Sequence, residues 1–90
     1  MRYSRESLAW AAGLFEGEGS FSFYNNGSGS IRAAISMTDL DVLQEFQDVV
    51  GFGKLQPYPS RSANRKPTFL WYISSFEQVQ ALAAMLWPWL

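Results

Sequence analysis

Ala11-Ala12-Gly13-Leu14-Phe15-Glu16-Gly17-Glu18-Gly19-Ser20-Phe21 passes from a helical pattern to a strand pattern within one short stretch. Upstream, Ser4 offers an N-cap hydroxyl for a helix through SLAWAAGLFE, and the glycines of GEG end that helix. Leu8, Ala11, Leu14 and Phe15 recur at helical spacing and are expected to face the core. Ala9, Gly13 and Gly17 stand four apart on one face of the same helix. A face of small residues lets a second helix approach closely; the ordinary alternative is packing beneath this chain's own sheet.

Downstream, SFSFY alternates polar and apolar residues, NNGSGS supplies a turn, and IRAAISMT alternates again. The pair reads as a β-hairpin with a longer loop than the tightest type. Phe21, Phe23, Ile31, Ala33, Ile35 and Met37 are expected to face the core, and Ser22, Tyr24, Arg32, Ala34 and Ser36 the other way. Thr38 or Asp39 then caps a second helix, DLDVLQEFQDVV, with Val42, Leu43, Phe46, Val49 and Val50 at helical spacing and Gly51 as its stop. FGKLQPY and KPTFLWYIS form a second strand pair around the polar loop PSRSANRK, with Pro57 and Pro67 near the strand ends. Ser74 or Ser75 opens a third helix, SFEQVQALAAMLW, with capping-box spacing to Glu77 or Gln78, and Pro88 bars a simple continuation. The order αββαββα predicts an α+β fold: a four-stranded antiparallel sheet with helices on one face and the other face free for binding.

Composition narrows the chemistry. A chain of 90 residues has room for one core, so a single domain over residues 1–90 is expected. There is no Cys and no His, which removes disulfides, thiolate and Ser-His-Asp catalysis, and every histidine-based nuclease site. Chemistry must come from carboxylates, Lys, Tyr, Ser or a hard metal held by oxygens. No apolar run approaches the length of a bilayer span, and MRYSRESLAW lacks the apolar segment of a signal peptide. The expected location is therefore intracellular, with no membrane partner. The formal net charge is −1, yet no Asp or Glu occurs from Gly19 to Thr38 or from Val49 to Phe76. Those two segments hold Arg32, Lys54, Arg61, Arg65 and Lys66, so the net value understates the local positive field.

The Ala11–Phe21 stretch resembles the LAGLIDADG motif, in the form with Gly at the seventh position followed by Ser and an apolar residue. The similarity continues through the hairpin, ISMTD entering the second helix, VGFGKL leaving it, and WYIS entering the third. The resemblance to the single-motif LAGLIDADG homing endonucleases implies a site-specific, metal-dependent endonuclease that cuts double-stranded DNA as a homodimer. It implies a dimer contact through the first helix at Ala9, Ala12, Gly13, Glu16 and Gly17.

It further implies that Glu18, the motif's penultimate acid, binds Mg2+ or Mn2+ beside its symmetry mate. Read without the family, Glu18 is a solvent-facing acid in a helix-terminal turn. Glu is less frequent at this position than Asp; it keeps the charge and lengthens the reach. Glu16, the motif's other acid, suits a structural role at the turn. Asp39 aligns with a polar residue that orders water near the metals in relatives, and reads equally well as an ordinary N-cap.

Ser20, Ser22, Tyr24, Arg32, Ser36, Lys54, Gln56, Tyr58 and Tyr72 are expected on the DNA-facing side of the sheet. Arg61, Arg65 and Lys66 of the long loop would add backbone contacts. Polar sheet faces are commonly just solvated; the bias against acids favours DNA here. Single-motif relatives continue past the third helix and carry a basic residue near the active site, and the resemblance matches no residue of this sequence to that helper. Trp87, Trp89 and Leu90 are expected to be covered by a partner surface. Two alternatives stand beside the homodimeric nuclease. One is a non-cleaving DNA- or RNA-binding module of the same fold, maturase- or regulator-like. The other is one half of a split or two-motif endonuclease.

Overall fold

A computed structural model describes residues 4–24, 30–58 and 67–90. Helix α1 (Arg5–Glu18) leads into strand β1 (Gly19–Tyr24) and strand β2 (Ser30–Met37). Helix α2 (Leu40–Val50), strands β3 (Lys54–Tyr58) and β4 (Thr68–Ile73), and helix α3 (Phe76–Leu86) follow, with a 3-10 turn at Trp87–Trp89. The expected order αββαββα is the observed one.

Side-chain oxygens start all three helices. Ser4 accepts from the backbone N–H of Ser7 at 3.0 Å, Asp39 from Val42 at 3.2 Å and Ser75 from Gln78 at 3.1 Å. Each satisfies an N–H that the first helical turn leaves without an intrahelical acceptor. Gly51 ends α2 in the left-handed region at φ 90, where a Cβ is disfavoured. Pro88 lies in the 3-10 turn, so the chain tightens after Leu86 where an α-helix would lose a backbone donor.

The sheet order is β1-β2-β4-β3, with every pairing antiparallel. The two strands of the first hairpin and the two of the second thus meet through β2 and β4, which become the inner strands. Pro57 falls on edge strand β3, opposite Phe69, where its missing N–H breaks no second ladder. Strand β3 begins at Lys54, later than the FGKLQPY run suggests, because Gly53 at φ 104 is not extended. The Trp71 indole explains that turn. Its Nε1 donates to the Phe52 carbonyl at 3.0 Å, and the ring fills the space a Gly53 side chain would take.

The three helices pack on one face of the sheet. Ala33, Ile35, Trp71 and Ile73 from the strands meet Ala11, Ala12 and Phe15 of α1, Leu43, Phe46, Val49 and Val50 of α2, and Val79, Leu82 and Leu86 of α3. Phe46 stands edge-on to Trp71 with ring centroids 4.7 Å apart, and Phe15 stacks on Phe46 at 6.5 Å. Truncating a ring so enclosed costs about 3–5 kcal/mol. Leu8 and Leu14 pack against this core, as their spacing requires. Two expectations need correcting. Phe21 does touch the Phe15 ring at 5.0 Å, but it stays 51% exposed because β1 is an edge strand. Val42 is only partly buried.

Candidate nucleic-acid interface

The register fixes what the open face of the sheet carries. Ser20, Ala34, Tyr72 and Lys54 form one row across all four strands. Ser36, Leu70 and Gln56 form the next, and Tyr58 pairs with Thr68 beyond it. Arg32 pairs with Ser22 and Tyr24 with Ser30 in the same register; the side chains of Ser22, Tyr24 and Ser30 lie outside the described residues. No strand residue on this face is acidic, whereas Asp41, Glu45 and Asp48 lie on α2 and Glu77 on α3, in the opposite layer. Charge is thus sorted by layer, which a polyanion on the open face would sense as a favourable field. Arg61, Arg65 and Lys66 lie outside the described residues.

Glu18 is the last residue of α1 and is exposed. Phe15 and Gly19 hold the turn that places it: the Gly19 N–H donates to the Phe15 carbonyl, and a Cβ on Gly19 would meet the Phe15 ring and carbonyl at 2.6 Å. Glu18, which precedes Gly19, and Ser36, which follows Gly19's partner Ile35, line one concavity. The last turn of α1 holds no basic residue. Its carboxylates therefore add to the negative end of the helix dipole, an arrangement that favours a nearby cation. Glu16 is exposed, and the capping bond of the turn runs between the Gly19 N–H and the Phe15 carbonyl.

Glu18, Ser20, Arg32, Ala34, Ser36, Tyr58 and Leu70 line one open concavity of about 190 Å³. The guanidinium carbon of Arg32 sits 4.8 Å from the centre of the Tyr72 ring, within cation–π range. Arg32 Nε is buried without a hydrogen-bond partner, which costs a folded protein about 1–3 kcal/mol. Leu70 was missed on sequence. It lies opposite Ser36 on the open face yet is only 4% exposed. Alternation from Tyr72 places Leu70 and Thr68 on this side, and that was the available signal.

Asp39 is not brought to Glu18. Its carboxylate caps α2 and lines a separate concavity with Thr38, Leu40, Asp41, Pro67 and Phe69. Among the described residues no group of three or more acids gathers into a metal cage. One chain therefore supplies a single carboxylate with the Ser20 and Ser36 hydroxyls nearby. All are oxygen donors, the ligand type of hard divalent cations, and too few to close a metal site by themselves.

The outer face of α1 exposes Ala9, Gly13, Glu16 and Gly17. A Cβ built on Gly13 or Gly17 meets nothing within 4 Å, so packing within this chain requires neither glycine. Ala12, also expected on that face, is fully buried in the chain's own core and has no surface to offer a partner. It follows the core residues Leu8, Ala11 and Phe15 around the helix, as i and i+4 positions do. Trp87, Trp89 and Leu90 are exposed, and Trp10 on α1 is 40% exposed.

No family model matches the sequence, and no curated protein resembles it in sequence. Solved structures do match in fold. One is an archaeal intron-encoded homing endonuclease complexed with DNA, with a TM-score of 0.71 and 18% identity. The match covers 93% of this chain and 55% of that one. The homing endonuclease I-CvuI, in complex with a DNA target not cleaved in 2 mM Mg, matches with a TM-score of 0.72 and 17% identity over 96% of this chain and 57% of its own. The LAGLIDADG meganuclease I-AabMI, bound to uncleaved DNA, matches with a TM-score of 0.70 and 17% identity over 92% and 29%. This chain thus spans little more than half of the first two and under a third of the last. Its three helices and four-stranded antiparallel sheet have the architecture of the LAGLIDADG homing endonucleases.

Proposed function

We propose that this chain is one half of a site-specific DNA endonuclease, pairing with a second copy through the outer face of α1 and holding double-stranded DNA on the open sheet face. The observation that carries the reading is the position of Glu18: a carboxylate at the end of α1, opening into the same concavity as the acid-free sheet. Glu18 would hold Mg2+ or Mn2+ together with the partner copy's acid and DNA phosphate oxygens. When bound, such a metal lowers the pKa of a water and neutralises charge on the cleaved phosphate. The chain's own residues do the rest. Lys54 attracts the backbone, Arg32 adds positive charge on the sheet face, Ser20, Ser36, Gln56 and Tyr72 present hydrogen-bonding groups to base edges, and the rigid sheet fixes the register of DNA against Glu18. Asp39 is given no step, because its carboxylate is engaged in the cap.

The spare room above Gly13 and Gly17 supports a second copy over an unpaired helix. The coverage of the solved structures, from 57% down to 29%, is equally compatible with a two-motif protein in which another half faces this one. Incubation with a randomised duplex library, with and without magnesium or manganese, followed by sequencing of cut ends, tests the proposal. Metal-dependent cuts within symmetric half-sites are expected. Asymmetric sites would point to a heteromeric half, and DNA that is bound but never cut would leave a binding module.

A further inference from the structure

Resting on that reading, we infer that Arg32, braced by Tyr72, selects a guanine in each half-site, roughly three to six base pairs from the cut phosphate. Arg32 lies on β2, an inner strand, so it faces the floor of an occupied groove, whereas Lys54 lies on edge strand β3 nearer the flanking backbone. Its guanidinium sits over the Tyr72 ring, and Tyr72 pairs with Ala34, one open-face step nearer Glu18 than Arg32 itself. The side chain is thus held against the sheet and already restricted before DNA arrives, which reduces the ordering cost of binding. Its Nε is buried without a partner, so the fork offered to a base edge is the terminal pair of NH2 groups. A guanidinium fork matches two acceptors side by side. In the major groove guanine alone presents that pair, O6 and N7, while adenine and thymine each offer one acceptor.

The position follows from the register. Glu18 and Ser36 line the same concavity, and Arg32 is four residues from Ser36 along β2. That is ~13 Å at the usual strand rise, or about four base-pair steps; the lean of the side chain and the curve of the groove widen this to the stated range.

The test uses binding and not cutting. A randomised duplex library is incubated with the protein without divalent metal, bound duplexes are sequenced, and the cut position is mapped separately with magnesium. Wild type should enrich a guanine at one position per half-site. Arg32→Ala should lose that preference by about tenfold or more while other positions keep theirs. Tyr72→Ala should weaken the same guanine, and Tyr72→Phe, which keeps the ring, should retain it. A uniform loss across all sequences in Arg32→Ala, with a salt slope reduced by about one, would make Arg32 a phosphate contact and overturn the inference. Bound DNA without the guanine overturns it too, while the endonuclease reading stands. If no duplex is bound at all, both fall together.

Discussion

Phe15 and Gly19 leave no space between them: a Cβ on Gly19 would lie 2.6 Å from both the Phe15 ring and its carbonyl oxygen. The backbone oxygen cannot swing aside as a flexible side chain could, and it already accepts the Gly19 N–H. Gly19→Ala should therefore shift the turn that carries Glu18 and cost about 1–3 kcal/mol of stability, as overpacking does. Urea unfolding measures this. An unchanged midpoint would mean that the turn relaxes freely.

Glu18→Gln keeps the shape of the side chain and removes the charge that would hold a cation. Metal-dependent cutting should fall by about a hundredfold or more. Binding without added metal should survive, or tighten slightly as a negative charge beside phosphate is lost. The comparison needs a wild-type protein first shown to cut. Equal cutting rates for the two proteins would sink the assignment of Glu18.

Gly13 separates folding from pairing. Since nothing stands within 4 Å of a Cβ there, Gly13→Ala should stabilise the isolated fold by up to about 1 kcal/mol through helix propensity. Gly13→Leu should fold but fail to dimerise in light scattering at micromolar concentration. A wild-type monomer, or a Leu variant that pairs normally, would refute the α1 interface.

Lys54 is exposed on an edge strand of the open face. DNA affinity should fall steeply with salt as counterions are released. Lys54→Ala should weaken binding about equally across sequences and reduce the salt slope by about one. Fluorescence anisotropy at several salt concentrations would show this. Affinity indifferent to salt and to the joint loss of Arg32 and Lys54 would mean that DNA lies elsewhere.

The sequence alone determined the kind and order of the elements and the sidedness of each strand. Ser4, Asp39, Ser75 and Gly51 act on backbone groups within a few residues, and strand alternation is a property of the chain itself, so both are legible without partners. Glu18 was legible as a carboxylate between a helix end and a strand start. Only the tertiary structure decided the rest, because pairing between strands depends on contacts distant in sequence. The order β1-β2-β4-β3 leaves Phe21 half exposed at an edge and brings Tyr72 beneath Arg32. It sinks Leu70 into the polar face and opens Glu18 and Arg32 into one concavity while leaving Asp39 in another. Packing of α1 against the core encloses Ala12 but leaves Gly13 and Gly17 bare. Small residues look alike in sequence, and only the direction of the core tells which of them faces it.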